Sequence, residues 1–131
     1  MKKLLIIILI IILIIAGCEA MEKNQSDIEA EYKKISAEEA KAIIESEDVI
    51  ILDVRTQEEY KEGHIENSVL LPVNDIADKA EEILPNNNTK ILVYCRSGNR
   101  SATAAKQLII LGYTNVYDFG GINSWPYGTV K

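Results

Sequence analysis

The chain has 131 residues, 47% of them hydrophobic and 26% charged, with a formal net charge of −6. That length allows one small domain and one core. The acidic balance excludes nucleic acid as a partner, because a polyphosphate needs a concentrated basic face; it reads as a solvated acidic surface.

In chain order, Met1-Lys2-Lys3 precedes an unbroken apolar run from Leu4 to Ala16, then Gly17-Cys18. A charged start followed by a short apolar stretch is the pattern of a signal peptide. The run is shorter than the ~17 to 25 residues that cross a bilayer as a helix, so an uncleaved anchor is the weaker reading. Glu19 to Lys34 is polar and charged and reads as a tether, whose fifteen or so residues would reach roughly 20 Å. The expected organisation is residues 1–17 removed, 18–34 a lipidated end and tether, and 35–131 the folded domain.

Ser36-Ala37-Glu38-Glu39 is a capping box that opens a helix with Ala40, Ile43 and Ile44 on its apolar side. Residues 49–54 form a continuous β-branched and apolar run, as expected of a strand buried on both faces. Thr56 to Tyr60 reads as a capped helical turn before Gly63, residues 69–73 as a strand, and residues 74–84 as a helix capped by Asn74 or Asp75. Residues 90–94 form the next buried strand, followed directly by Cys95-Arg96-Ser97-Gly98-Asn99-Arg100. A helix is predicted over 101–111, stopped by Gly112, and a last strand over 115–119. Strands alternating with helices give an α/β domain with a mainly parallel sheet flanked by helices on both faces. Ligands of such sheets sit beyond the C-terminal strand ends, where Cys95 lies.

The residues from Cys95 to Arg100 make a donor-rich turn with a glycine, joining a strand to a helix. Successive N–H groups there form an anion-binding nest, to which the helix N-terminus adds its field. A thiolate held beside Arg96 and Arg100 is favoured over a thiol. Cys95 is therefore the candidate nucleophile, with Arg96, Ser97, Gly98, Asn99, Arg100 and Ser101 as the candidate substrate-binding set. Asp53 and Arg55, two apart on a strand, point to one face and read as an ion pair supporting the site. His64, the one histidine, reads as structural support for the loop after Gly63. No C-x-x-C pair or cysteine-rich cluster occurs, so neither a metal nor a cofactor is expected.

Ile15-Ala16-Gly17-Cys18 resembles the lipobox of bacterial lipoproteins, which implies lipidation of Cys18 and an extracytoplasmic, membrane-attached domain. From about Ile35 onward the chain resembles the rhodanese family of single-domain sulfurtransferases. The resemblance is carried by residues 51–55 with Glu58-Glu59-Tyr60 and Gly63-His64-Ile65, by Pro72, by Tyr94 to Ser101, and by Gly120-Gly121-Ile122 with Trp125. The spacing from Trp125 to Gly128 is shorter than is common in the family. The resemblance implies that Cys95 takes the outer sulfur of a small anionic donor such as thiosulfate, holds it as a persulfide and passes it to a thiophilic acceptor. With Cys18 lipidated no second thiol remains, so the acceptor would be external, a small thiol or a protein. Two alternatives are a cysteine phosphatase or arsenate reductase and a non-catalytic binding module. Tyrosine-type phosphatases use C-x5-R, whereas four residues separate Cys95 from Arg100.

Overall fold

The computed structural model describes residues 32–131. The signal peptide, Cys18 and most of the tether lie outside the described residues. Five strands form one parallel sheet: β1 (Lys33–Lys34), β2 (Ile50–Asp53), β3 (Val69–Leu70), β4 (Ile91–Cys95) and β5 (Val116–Gly121), in the order β1-β5-β4-β2-β3. The helices between them are α1 (Ala37–Ser46), α2 (Gln57–Glu62), α3 (Ile76–Ile83) and α4 (Asn99–Ile110).

Side chains on a strand alternate between faces, and the core divides accordingly. Leu52, Val54, Ile91, Val93 and Cys95 join Ile76, Ala80, Ala104, Ala105 and Leu108, the inner sides of α3 and α4. Ile51, Leu92, Tyr94 and Phe119 turn to the other face and pack with Ala40 of α1 and the partly buried Trp125. The parallel α/β sandwich is therefore observed. Among the described residues no helix is long and apolar enough to cross a membrane.

Four boundaries differ from the sequence reading. The tether ends earlier than Lys34: Tyr32 is buried, and Lys33 and Lys34 pair with Tyr117 and Asp118 as an edge strand. Both lysines are exposed, so this strand carries no apolar signal and exists through its backbone pairing. After β3, Pro72 precedes a 3-10 turn over Val73–Asp75, and α3 begins only at Ile76, with no side-chain cap. The helix expected from 101 starts at Asn99, because Gly98 enters it from the left-handed region at φ 105°. Finally, β5 runs on to Gly121.

Candidate active site

The site stands at the C-terminal end of β4. Val93 pairs with Asp118 but Cys95 with Gly121, so β5 carries an extra residue across that interval and the ladder is locally irregular. Such bulges re-aim the chain where a strand ends. Past them the loop folds tightly over the end of β5. The Arg96 carbonyl accepts from Asn123 N–H at 3.2 Å, and a Cβ on Gly121 would overlap that same carbonyl and the Ser97 Cα. Gly121 is thus glycine because the active loop rests against it. The sequence marks the Gly-Gly pair but cannot show this approach.

Cys95 is a free, buried cysteine at the floor of the turn. The Gly98 N–H donates to its Sγ at 3.0 Å. The helix above differs from two others in the molecule in how it begins. At α1 and α2, Ser36 with Glu39 and Thr56 with Glu59 form complete capping boxes that consume the first free amides. At α4 the N-cap is Gly98 and no side chain caps the helix. The first intrahelical bond runs from Ala102 N–H to the Gly98 carbonyl, which leaves the amides of Asn99, Arg100 and Ser101 without an intrahelical acceptor. Free amides and the positive end of the helix dipole thus stand over the sulfur, the arrangement that holds an anion.

The candidate substrate-binding residues do not all face outward. Arg96, Ser97 and Asn99 are exposed, and the Arg96 guanidinium has no partner among the described residues. Ser101 is fully buried, and its hydroxyl donates to the Gly98 carbonyl at 3.0 Å, bracing the turn from within. Arg100 is engaged by a residue that sequence reasoning did not single out. Its Nη1 and Nη2 donate to Oε1 and Oε2 of Glu59 at 2.7 and 3.0 Å. That hydrogen bond, ahead of all other influences, holds the Glu59 carboxyl down at about 2 and raises the Arg100 guanidinium. Glu59 also accepts from Thr56 N–H and Oγ1, so one carboxylate closes the α2 cap and fixes the arginine beside Cys95.

Asp53 and Arg55 form the expected pair on the opposite face of the sheet. Arg55 Nε and Nη2 donate to the Asp53 carboxylate at 2.7 to 3.1 Å, and Nη2 donates also to the Gly63 carbonyl at 2.7 Å. Burial alone would lower the Arg55 guanidinium, but the hydrogen bond and charge of Asp53 outweigh it and the net shift is upward. Tyr94 is the hub that sequence reasoning missed. Its hydroxyl donates to Asp53 Oδ2 at 2.7 Å, accepts from Ile65 N–H at 3.1 Å and meets Ser68 Oγ at 3.1 Å. Burial pushes the phenol above its ordinary range, so it stays a neutral donor. His64 stacks on Tyr60, with ring centroids 3.7 Å apart, and its Nδ1 lies 2.8 Å from the Tyr60 carbonyl. Its backbone bonds reciprocally with Val130, tying the C-terminal segment to this loop.

Comparison with known proteins identifies this architecture. The family model of the rhodanese-like domain matches residues 36–126. The chain is 36% identical over 98 residues to thiosulfate sulfurtransferase GlpE of Coxiella burnetii, covering 72% of this chain and 87% of that one. Among solved structures, a rhodanese-related protein of Thermoplasma volcanium is 36% identical with a TM-score of 0.66, over 76% of this chain and 98% of its own. A structure described as rhodanese with anions from E. coli is 28% identical with a TM-score of 0.60, over 64% of this chain and 99% of its own. With its cysteine under an uncapped helix at the end of the fourth strand, the chain belongs to the rhodanese-like family.

Proposed function

We propose that the protein is a sulfurtransferase that moves a sulfane sulfur from an anionic donor of the thiosulfate type, through a persulfide on Cys95, to an external thiophilic acceptor. The observation that carries this reading is Sγ receiving the Gly98 N–H beneath the free first turn of α4. The Cys95 thiolate attacks the outer sulfur of thiosulfate. The new S–S bond forms as the old one breaks, and sulfite leaves with the bonding pair. The resulting persulfide places its negative charge on the outer sulfur, among amides that favour it. Cyanide attack on that sulfur then yields thiocyanate and returns the electron pair to Sγ. A thiol does the same, its proton ending on the transferred sulfur. This is covalent catalysis with ping-pong kinetics. An E. coli structural relative whose description names bound anions supports an anion-receiving loop.

Purified protein given thiosulfate and cyanide should produce thiocyanate, and thiosulfate alone should add the mass of one sulfur atom to Cys95. Cys95→Ser should abolish both. Phosphate release from an aryl phosphate with no sulfur loading would instead establish the phosphatase reading.

We further propose that Cys18 is lipidated and holds the domain at the outer face of a bacterial cell membrane. The paired lysines, the short apolar run and Ala16-Gly17-Cys18 support this. Cys18→Ser should release the protein from the membrane fraction; a variant that stays fully bound means an uncleaved helix is the anchor.

A further inference from the structure

A shallow groove of about 240 Å³ runs from the active turn along the outer side of α4, walled by Val73, Asn74, Asn99, Arg100, Thr103 and Gln107. Asn99 and Arg100 are its end beside Cys95. From there to Gln107 is about 11 Å along the helix, the length of roughly three extended residues. Its lining is unusual in kind: three carboxamides and a hydroxyl, with Val73 as its one apolar side chain. A carboxamide offers a donor and an acceptor side by side, matching the N–H and C=O of a peptide group. One of these carboxamides is also incomplete. Among the described residues, Gln107 Oε1 is the buried side-chain oxygen without a hydrogen-bond partner. A buried acceptor left unpaired is costly, and a donor from an occupant of the groove would satisfy it.

The other flank of the turn is less suited to an incoming thiol. The hollow there, about 330 Å³, includes Asp118 in its lining, a buried carboxylate whose Oδ1 already accepts from Gly120 N–H at 2.9 Å. Its negative charge opposes the approach of a thiolate.

We propose that the groove along α4 is the acceptor subsite, and that it takes a thiol carried on a peptide, whose backbone amides lie against Asn74, Thr103 and Gln107. This rests on the sulfurtransferase reading and names its acceptor class. The peptide enters with its cysteine beside Arg100. Its sulfur attacks the outer sulfur of the Cys95 persulfide, and the S–S bond to Sγ breaks with its electron pair returning to Sγ. The thiol proton ends on the transferred sulfur, so no oxidant or reductant is consumed.

The test loads the full chain with thiosulfate and discharges it to three acceptors: a cysteine-containing peptide blocked at both ends, 2-mercaptoethanol, which has no amides, and cyanide. Gln107→Leu and Asn74→Leu remove the amides outside the Cys95 turn while keeping side-chain bulk. Each should lower kcat/KM for the peptide about 5- to 10-fold, the loss of one hydrogen bond, and leave 2-mercaptoethanol and cyanide within about twofold. Peptides of three and seven residues separate a small thiol peptide from a protein segment: a gain with length assigns the segment, equal rates the small peptide. An equal fall for all three acceptors, or none for the peptide, overturns the groove assignment. Failure of the parent chain to load sulfur at all overturns the sulfurtransferase reading itself.

Discussion

Tyr94 and Cys95 are neighbours in sequence, yet they serve two regions of opposite design. Strand alternation sends Tyr94 to the α1 face and Cys95 to the face of α3 and α4. On the first face every polar group has an answer: Asp53 is met by Arg55 and Tyr94, while Tyr94 is met by Ile65 and Ser68. On the second, the helix amides over the sulfur are left without a cap. A saturated network costs nothing further to keep buried and holds its loops in place. An unsaturated one at a strand end keeps its donors for an anion that arrives. The difference separates what builds the edge of the sheet from what does chemistry there.

The largest test breaks the saturated side. Asp53→Ala leaves the buried Arg55 guanidinium without its carboxylate, a loss of about 3 to 5 kcal/mol, measurable by urea denaturation. Molecules that remain folded should still take up sulfur on Cys95. Loss of sulfur loading in the folded fraction would mean that the two faces are not separate.

The next test breaks the open side. Gly121→Ala puts a methyl group where the Arg96 carbonyl sits, so the turn must lift from β5. Overpacking of this kind costs about 1 to 3 kcal/mol. Displacing Cys95 by an ångström is enough to cost ~100-fold in rate. Thiocyanate production should therefore fall far more than the melting temperature does. A variant with parental kcat/KM would show that the turn does not rest on β5.

The legible parts of this molecule are those written within short spans of sequence. The capping boxes at Ser36 and Thr56 need only residues three apart, and the buried strands need only an apolar run; both stand in the structure. The Asp53–Arg55 pair is legible for the same reason, since strand periodicity puts residues two apart on one face. What escaped notice depends on approach across the fold. Glu59 meets Arg100 from 41 residues away, and nothing local to either predicts it. Tyr94 reads as one more apolar strand residue until the fold brings Asp53 and Ser68 to its hydroxyl. The start of α4 was misplaced because a glycine in a turn looks like the middle of a loop. Here its left-handed backbone is the entry to the helix, which moves Asn99, Arg100 and Ser101 from loop to first turn.

Glu59 ties the two designs together, since it belongs to the closed cap of α2 and grips the open turn of α4. Glu59→Gln keeps an acceptor for Thr56 but removes the charge facing Arg100. Because the pair is partly exposed, with side chains 19% and 33% accessible, the loss at neutral pH should be small, about 1 kcal/mol or less. Its pH dependence is the sharper readout. The carboxyl is held at about 2 in the fold against an ordinary 4.5, so it binds protons less readily folded than unfolded. The stability it contributes is complete above about pH 4.5 and drains away as the pH falls towards 2. The parent should lose that increment across the window and Glu59→Gln should not, so their urea midpoints, apart at pH 7, should converge in acid. Midpoints that stay equally far apart down to pH 2 would mean that the Arg100 contact does not set the Glu59 carboxyl, and that the turn is held by its backbone alone.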